Sequence, residues 1–209
     1  MKEMSKETKH KKLMKAHTNN IYISDLNLED KYTNFEESKL KESETLLYEI
    51  KNKPKYFKRY GRGRIVKVRF GVNIGSEFSG DHFAIVISKN DTAFNPVLHV
   101  IPITSKKHKT CINLGNVLID EDNINKLEQL FLASSDRVKR RKINECLKFY
   151  KNRKDIESYA IVEHMKTISK LSIIKPINEY DYIKELKISE QKMNEIYKEI
   201  IKEFTIIKN

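Results

Sequence analysis

Gly63-Arg64-Ile65-Val66-Lys67-Val68-Arg69-Phe70 is the stretch at which the chain turns from helical to extended character. Val66, Val68 and Phe70 alternate with Lys67 and Arg69, the two-residue period of a strand with one buried face. Downstream, a loop from Gly71 to Gly80 carries three glycines, Phe83 to Ser88 is a continuous apolar run, and Asn90-Asp91 starts a turn. Val97 to Thr104 is a further strand-like run, and Val117 to Ile119 and Tyr159 to Val162 are shorter ones. Short strands separated by turn signals predict a small antiparallel sheet curled into a barrel.

The flanking segments have a different period. Lys2, Lys6, Lys9, Lys11, Lys12 and Lys15, against Glu3 and Glu7, make a cationic arm with little to bury, for which composition predicts disorder or adaptable docking. Between Glu36 and Lys51, Leu40, Leu47 and Ile50 predict a modest amphipathic helix that ends before Pro54 and packs on the domain that follows. Ile124, Leu127, Leu130 and Phe131 predict one helix in the middle of the chain; Ile143, Cys146, Leu147 and Tyr150 predict a second. The second is strongly basic, with nine Lys and Arg from Arg137 to Lys154 and only Glu145 against them. Ser189 caps a last helix, along which Met193, Ile196, Tyr197, Ile200, Ile201 and Phe204 form an apolar stripe. The organisation expected is a basic N-terminal extension over 1–60 and a barrel domain over 61–209, interrupted by a basic helical insertion at about 121–156.

The 209 residues carry a formal charge of +12, which favours a polyanionic partner, with nucleic acid the leading candidate. No spanning helix is expected, because no apolar run approaches the ~20 residues it needs, and no signal peptide, because the charged N-terminus lacks its apolar stretch. The expectation is a cytoplasmic protein with no membrane partner. Cys111 and Cys146 make neither a disulfide framework nor a zinc pattern, so both are expected to be inert thiols. No metal and no cofactor are implied.

Three segments, in order, resemble the MazF/PemK family of toxins from type II toxin-antitoxin systems. The first is Arg62 to Phe70, followed by Ile74-Gly75-Ser76-Glu77-Phe78-Ser79-Gly80-Asp81-His82-Phe83-Ala84-Ile85-Val86-Ile87-Ser88. The second is Asn95-Pro96 with Val100-Ile101-Pro102-Ile103-Thr104-Ser105, and the third is Val162-Glu163-His164-Met165-Lys166-Thr167-Ile168. The resemblance is close over Arg62 to about Ser105 and looser over Ser158 to Phe204. Two departures stand out: His82-Phe83 occupies the place of the family's main catalytic arginine, and Arg64 that of an aspartate.

The resemblance implies an α+β, mainly β fold: a small SH3-like antiparallel β-barrel with a C-terminal helix and a helical insertion. It also implies a sequence-specific endoribonuclease toxin that cleaves single-stranded mRNA without metal, acts as a homodimer and is neutralised by a cognate antitoxin. Such cleavage needs a base for the 2′-hydroxyl, an acid for the leaving 5′-oxygen and donors for the charge on the phosphorane. A histidine serves either proton transfer near neutral pH, which makes His82 the first catalytic candidate. His164 falls where relatives place a glutamine close to the RNA, so an acid and base pair is a second expectation, with Thr104 between the two. Thr104 is the expected hydroxyl donor, although a strand-end threonine also bonds its own backbone. Ser76, Glu77, Ser105, Lys106, Lys166, Arg140 and Arg141 are candidates for RNA contact. His10, His17, His99 and His108 receive no role. The alternatives are a catalytically inactive nucleic-acid-binding relative and a gyrase-directed toxin of the same fold.

Overall fold

A computed structural model describes residues 5–26 and 28–205, so that Lys2 and Glu3 of the cationic arm lie outside the described residues. The remainder of that arm is helical, contrary to the disorder its composition suggests. Helix α1, Lys6–Asp25, is started by Ser5, whose hydroxyl accepts the Thr8 N–H at 3.3 Å, and it buries none of its residues. Charge and low hydropathy report the absence of a packing face, but Lys, Glu, Met and Leu are good helix formers in their own right. Helix α2, Phe35–Asn52, follows, tied to α1 by the Ser24 hydroxyl donating to Glu36. The expected packing of its stripe does not occur. Phe35 is its buried residue, while Leu40, Leu47 and Ile50 are 51%, 53% and 67% exposed.

The sheet begins where the alternation does. Among the described residues its strands are β1 Ile65–Arg69, β2 Asp81–Val86, β3 Val97–Thr104, β4 Ile112–Gly115, β5 Ser158–Ala160 and β6 Lys166–Ser169. All pairings are antiparallel, in the order β1-β2-β3-β5-β4, with β6 on the first half of β3. Strand β3 is the organiser: Val97 to Val100 pair with β6, and Ile103 and Thr104 with β5. The expected barrel is not closed. Beyond β6, among the described residues, two isolated bridges reach back toward β1: Val68 to Ile173, and Arg64 to Lys187.

The run Val117 to Ile119 is a turn rather than a strand. The Asn113 side chain accepts the Gly115 N–H at 2.7 Å, Gly115 takes φ +71°, and the Ile119 N–H returns to the Asn116 carbonyl, so the strand ends at Gly115. Leu118 is apolar because it enters the core. Likewise the run from Tyr159 contributes two residues to β5 and then bends into a helical turn at Val162–His164.

Helices α3, Glu121–Ala133, and α4, Arg137–Lys151, are capped by Asp120 and Asp136, and α5, Glu190–Phe204, by Ser189. Ile143, Cys146, Leu147 and Tyr150 of α4 join Ile65, Ile85, Ile101 and Ile103 of the sheet and Met193 and Ile196 of α5 in one core. Val66, Val68, Ala84, Val86, Leu98, Val100 and Ile168 make a second core on the other face. Burial in the first core pushes the Cys146 thiol up to about 11, so it stays protonated at neutral pH. The Tyr150 hydroxyl donates to buried Asp181, which also accepts the Ile177 and Ile183 N–H groups at 2.8 and 3.0 Å. That network ties α4 to the segment leading into α5.

Candidate active site

The loop between β1 and β2 sets the geometry of His82. Asn73 donates to the Phe70 and Phe78 carbonyls at 2.9 and 2.7 Å, and its own N–H is accepted by the Ser79 hydroxyl at 3.0 Å. Lys31, from the N-terminal extension, donates to the Asn73 and Gly75 carbonyls at 3.0 and 2.8 Å. The loop closes with the Gly80 N–H on the Gly71 carbonyl at 2.7 Å. Gly80 has φ +90°, and a Cβ there would stand 3.3 Å from His82 Nε2. The backbone thus favours a glycine, and an added Cβ would also push the imidazole by a few tenths of an ångström.

Gly80→Ala is expected to displace the His82 imidazole while the protein stays folded, because the methyl crowds the ring and the left-handed conformation costs about 1–3 kcal/mol. Gly75→Ala is the control: φ is +58° but nothing lies within 4 Å of the added carbon. Equal changes in the His82 imidazole resonances of both variants, measured by NMR, would refute the steric argument.

His82 lies half-buried on β2, opposite Val68. Burial holds its pKa below the ordinary histidine value, outweighing the hydrogen bond to the Ser79 backbone and the nearby Asp81 carboxylate. It therefore stands neutral, with a lone pair for a proton, at neutral pH. His82 shares a cleft of ≈230 Å³ with Thr104, Ser105, Arg153, Glu157 and Ser158. Thr104, buried at the end of β3, accepts the Lys106 N–H on its hydroxyl at 3.1 Å. That bond uses the oxygen as acceptor, which fixes the hydroxyl in place and leaves its proton to donate.

His164 is at the end of the helical turn before β6 and is not among the residues lining that cleft. Phe78 is what links the two histidines: its ring centroid is 4.6 Å from that of His82 and 5.6 Å from that of His164. Glu77 and Lys166 approach across the same loop, with Lys166 Nζ 3.6 Å from the Glu77 carboxylate, while Ser76 is exposed beside them. Ser105 and Lys106 are exposed just past β3. Arg140 and Arg141 lie elsewhere, in a groove with Phe131 and Arg137 near the start of α4, where Arg140 stacks 4.4 Å over Phe131. From Arg140 to the far end of α4 is roughly 15–20 Å at 1.5 Å per residue, so these two charges belong to a separate surface. His99 bonds Thr167 at 2.9 Å on the exposed face of β3. Among the described residues no group of three or more His, Cys, Asp or Glu is placed to hold a metal ion.

Two contributors went unread in the sequence. Phe78 sits in a loop with no periodicity to mark it, and Arg153 is hidden in a run of basic residues; only the return of the chain from α4 to β5 brings it to His82.

Residues 61–147 match the family model of PemK-like, MazF-like toxins of type II toxin-antitoxin systems. Over these residues the chain is similar to that family. The match takes in β1 to β4, α3 and most of α4, and with them His82, Thr104, Ser105, Arg140 and Arg141. Phe78 and the glycine loop also fall within it, whereas His164 and Arg153 lie beyond its end. No curated protein matches the chain. Type II toxins of this kind are paired with an antitoxin, and the PemK/MazF family implies a toxin acting on RNA. No helix among the described residues is long and apolar enough to cross a membrane.

Proposed function

We propose that this PemK/MazF-like toxin is an endoribonuclease that cuts single-stranded mRNA by attack of the 2′-hydroxyl on the adjacent phosphate. The observation that carries the reading is the meeting, in one cleft, of a half-buried histidine kept neutral by burial with a threonine hydroxyl whose oxygen is already held by the Lys106 N–H. His82 takes the 2′-hydroxyl proton, the 2′-oxygen bonds to phosphorus, and the Thr104 hydroxyl donates to a non-bridging oxygen of the phosphorane. The phosphorus to 5′-oxygen bond then breaks, leaving a 2′,3′-cyclic phosphate on one fragment. His164, on the other contact of Phe78, supplies the proton that the 5′-oxygen takes up. Ser76, Glu77, Ser105, Lys106 and Lys166 border the path of the RNA, and the catalytic unit is a homodimer whose groove a cognate antitoxin covers.

Incubation of the purified protein with a defined RNA in excess chelator tests this. Fragments ending in 2′,3′-cyclic phosphate are the expected result. Tight binding without cleavage would leave a nucleic-acid-binding relative, and arrest of gyrase without either would leave a toxin directed at protein.

The groove on α4 has a separate expected effect. Replacing Arg140, Arg141 and Lys142 with glutamine is expected to weaken RNA binding without moving the cut site, because phosphate contacts carry affinity and little sequence information. Lys142 is already paired with Glu179 at 2.9 Å, so the two arginines dominate. Each lost contact lowers the salt slope of log K by about 0.7 for a single strand, and an unchanged slope would show that these charges face only solvent.

A further inference from the structure

Arg153 is fixed at the mouth of the His82 cleft more firmly than a surface arginine. Its guanidinium carbon lies over Phe149, 3.8 Å from the ring centre, and one nitrogen donates to the Phe149 carbonyl at 2.8 Å. Its backbone N–H returns to Tyr150 at 2.8 Å, and Asn116 donates to its carbonyl at 3.3 Å, so the position is pinned from both sides. Phe149 is itself held edge-on by Tyr150 and Phe83, at 5.1 and 6.2 Å. Two cations of the preceding helix have acidic partners: Lys142 pairs with Glu179 and Lys151 with Glu128. Arg153 has no carboxylate within 4 Å among the described residues, and burial pulls its pKa below the usual arginine value. A pre-set guanidinium without a counter-ion is a site for an oxyanion, because the fork donates two parallel N–H groups to phosphate.

We infer that Arg153 binds the scissile phosphate of the RNA and neutralises the charge that builds on it during attack. The inference rests on the endonuclease reading above. Among the residues lining the cleft, Arg153 is the permanent cation, His82 is neutral and Thr104 is a neutral donor; the two carboxylates that also line it have other partners, Asp81 with Arg69 at 3.3 Å and Glu157 with the Tyr159 hydroxyl. Attack by the 2′-oxygen adds negative charge to the non-bridging oxygens, and a fixed positive group already in place stabilises it without reorganisation.

The test compares wild type, Arg153→Ala and Arg153→Lys in two assays. The first is cleavage of a defined RNA in chelator, with and without millimolar guanidinium chloride. The second is binding of the all-deoxy oligonucleotide of the same sequence, which lacks the nucleophile, at several salt concentrations. Arg153→Ala is expected to cleave about 10²- to 10³-fold more slowly, the range for loss of one oxyanion donor. Arg153→Lys recovers part of this as a point charge without the fork. Added guanidinium restores rate to Arg153→Ala and not to His82→Ala. The salt slope of Arg153→Ala is expected to fall by about 0.7.

Wild-type rate and an unchanged slope in Arg153→Ala would overturn the inference and leave the endonuclease reading intact. Lost cleavage with a lowered melting temperature and no response to guanidinium would overturn it as well, in favour of a structural stacking role. If wild type itself cuts nothing, the endonuclease reading fails and the binding arm decides: a reduced slope retains the phosphate contact, and an equal slope removes it.

Discussion

Cleavage by His82→Ala is expected to be slower than wild type by roughly 10²- to 10⁴-fold, the contribution of a positioned proton-transfer group, with the melting temperature close to unchanged. The substitution removes a half-buried ring that touches Phe78, so a small loss of packing accompanies a large loss of chemistry. The pH profile carries the sharper information. Because burial lowers the His82 pKa, the base remains competent below the ordinary histidine value of ~6.5, and the rate falls only as pH drops through the depressed value. The same shift bears on stability. Between the folded and unfolded pKa the unfolded chain holds more protons, so the stability associated with this group is full above ~6.5 and is lost as pH falls through the folded value. Melting curves at each pH separate that loss from the kinetic one. With His164 as the acid, the double variant is little worse than the poorer single one, as for residues acting as a unit. A flat profile from pH 4.5 to 8, or multiplicative losses in the double variant, would remove the pair from the mechanism.

The largest expected loss of stability belongs to Lys170→Met. Lys170 and Asp91 form an ion pair with side chains 2% and 1% exposed, 2.7 Å apart. The ammonium also donates to the Thr92 carbonyl at 3.0 Å, and Asp91 Oδ2 accepts the Tyr60 N–H at 2.8 Å. Asp91 Oδ1 receives no aligned hydrogen bond, so it depends on the ammonium's charge alone. Removing the lysine strands a buried carboxylate, at a cost of about 3–5 kcal/mol, or roughly 6–20 °C in melting temperature for a chain of this size. Asp91→Asn added to Lys170→Met is expected to recover most of the loss, since a neutral amide oxygen still accepts from Tyr60. A loss below about 1 kcal/mol for the single variant, measured by urea unfolding, would mean that water reaches the pair.

Much of the scaffold was legible because its elements bury one face. Val66, Val68 and Phe70 show their core side by alternation, and Ile143, Cys146, Leu147 and Tyr150 show theirs by helical spacing; both patterns report burial, and both segments are buried. Where helicity and burial part company the pattern misleads. Helix α1 has no apolar face to announce it, and the stripe of α2 is apolar yet faces solvent. Val117 to Ile119 looked extended because turn residues entering a core are as apolar as strand residues. Sheet closure depends on where Ile173 and Lys187 return to β1, which no local pattern encodes. The candidate site divides in the same way. His82 and Thr104 could be read from motifs on adjacent strands, but the contact of Phe78 with both imidazoles and the approach of Arg153 come from chain segments that meet only in three dimensions.

Lys31 gives the N-terminal extension a mechanical part in this arrangement. Its ammonium rivets residues 28–34 to two carbonyls of the very loop that carries Phe78 and Gly80. Shearing off the first 34 residues would thus slacken the hinge on which the two imidazoles hang, even though none of the extension's described residues lines the cleft.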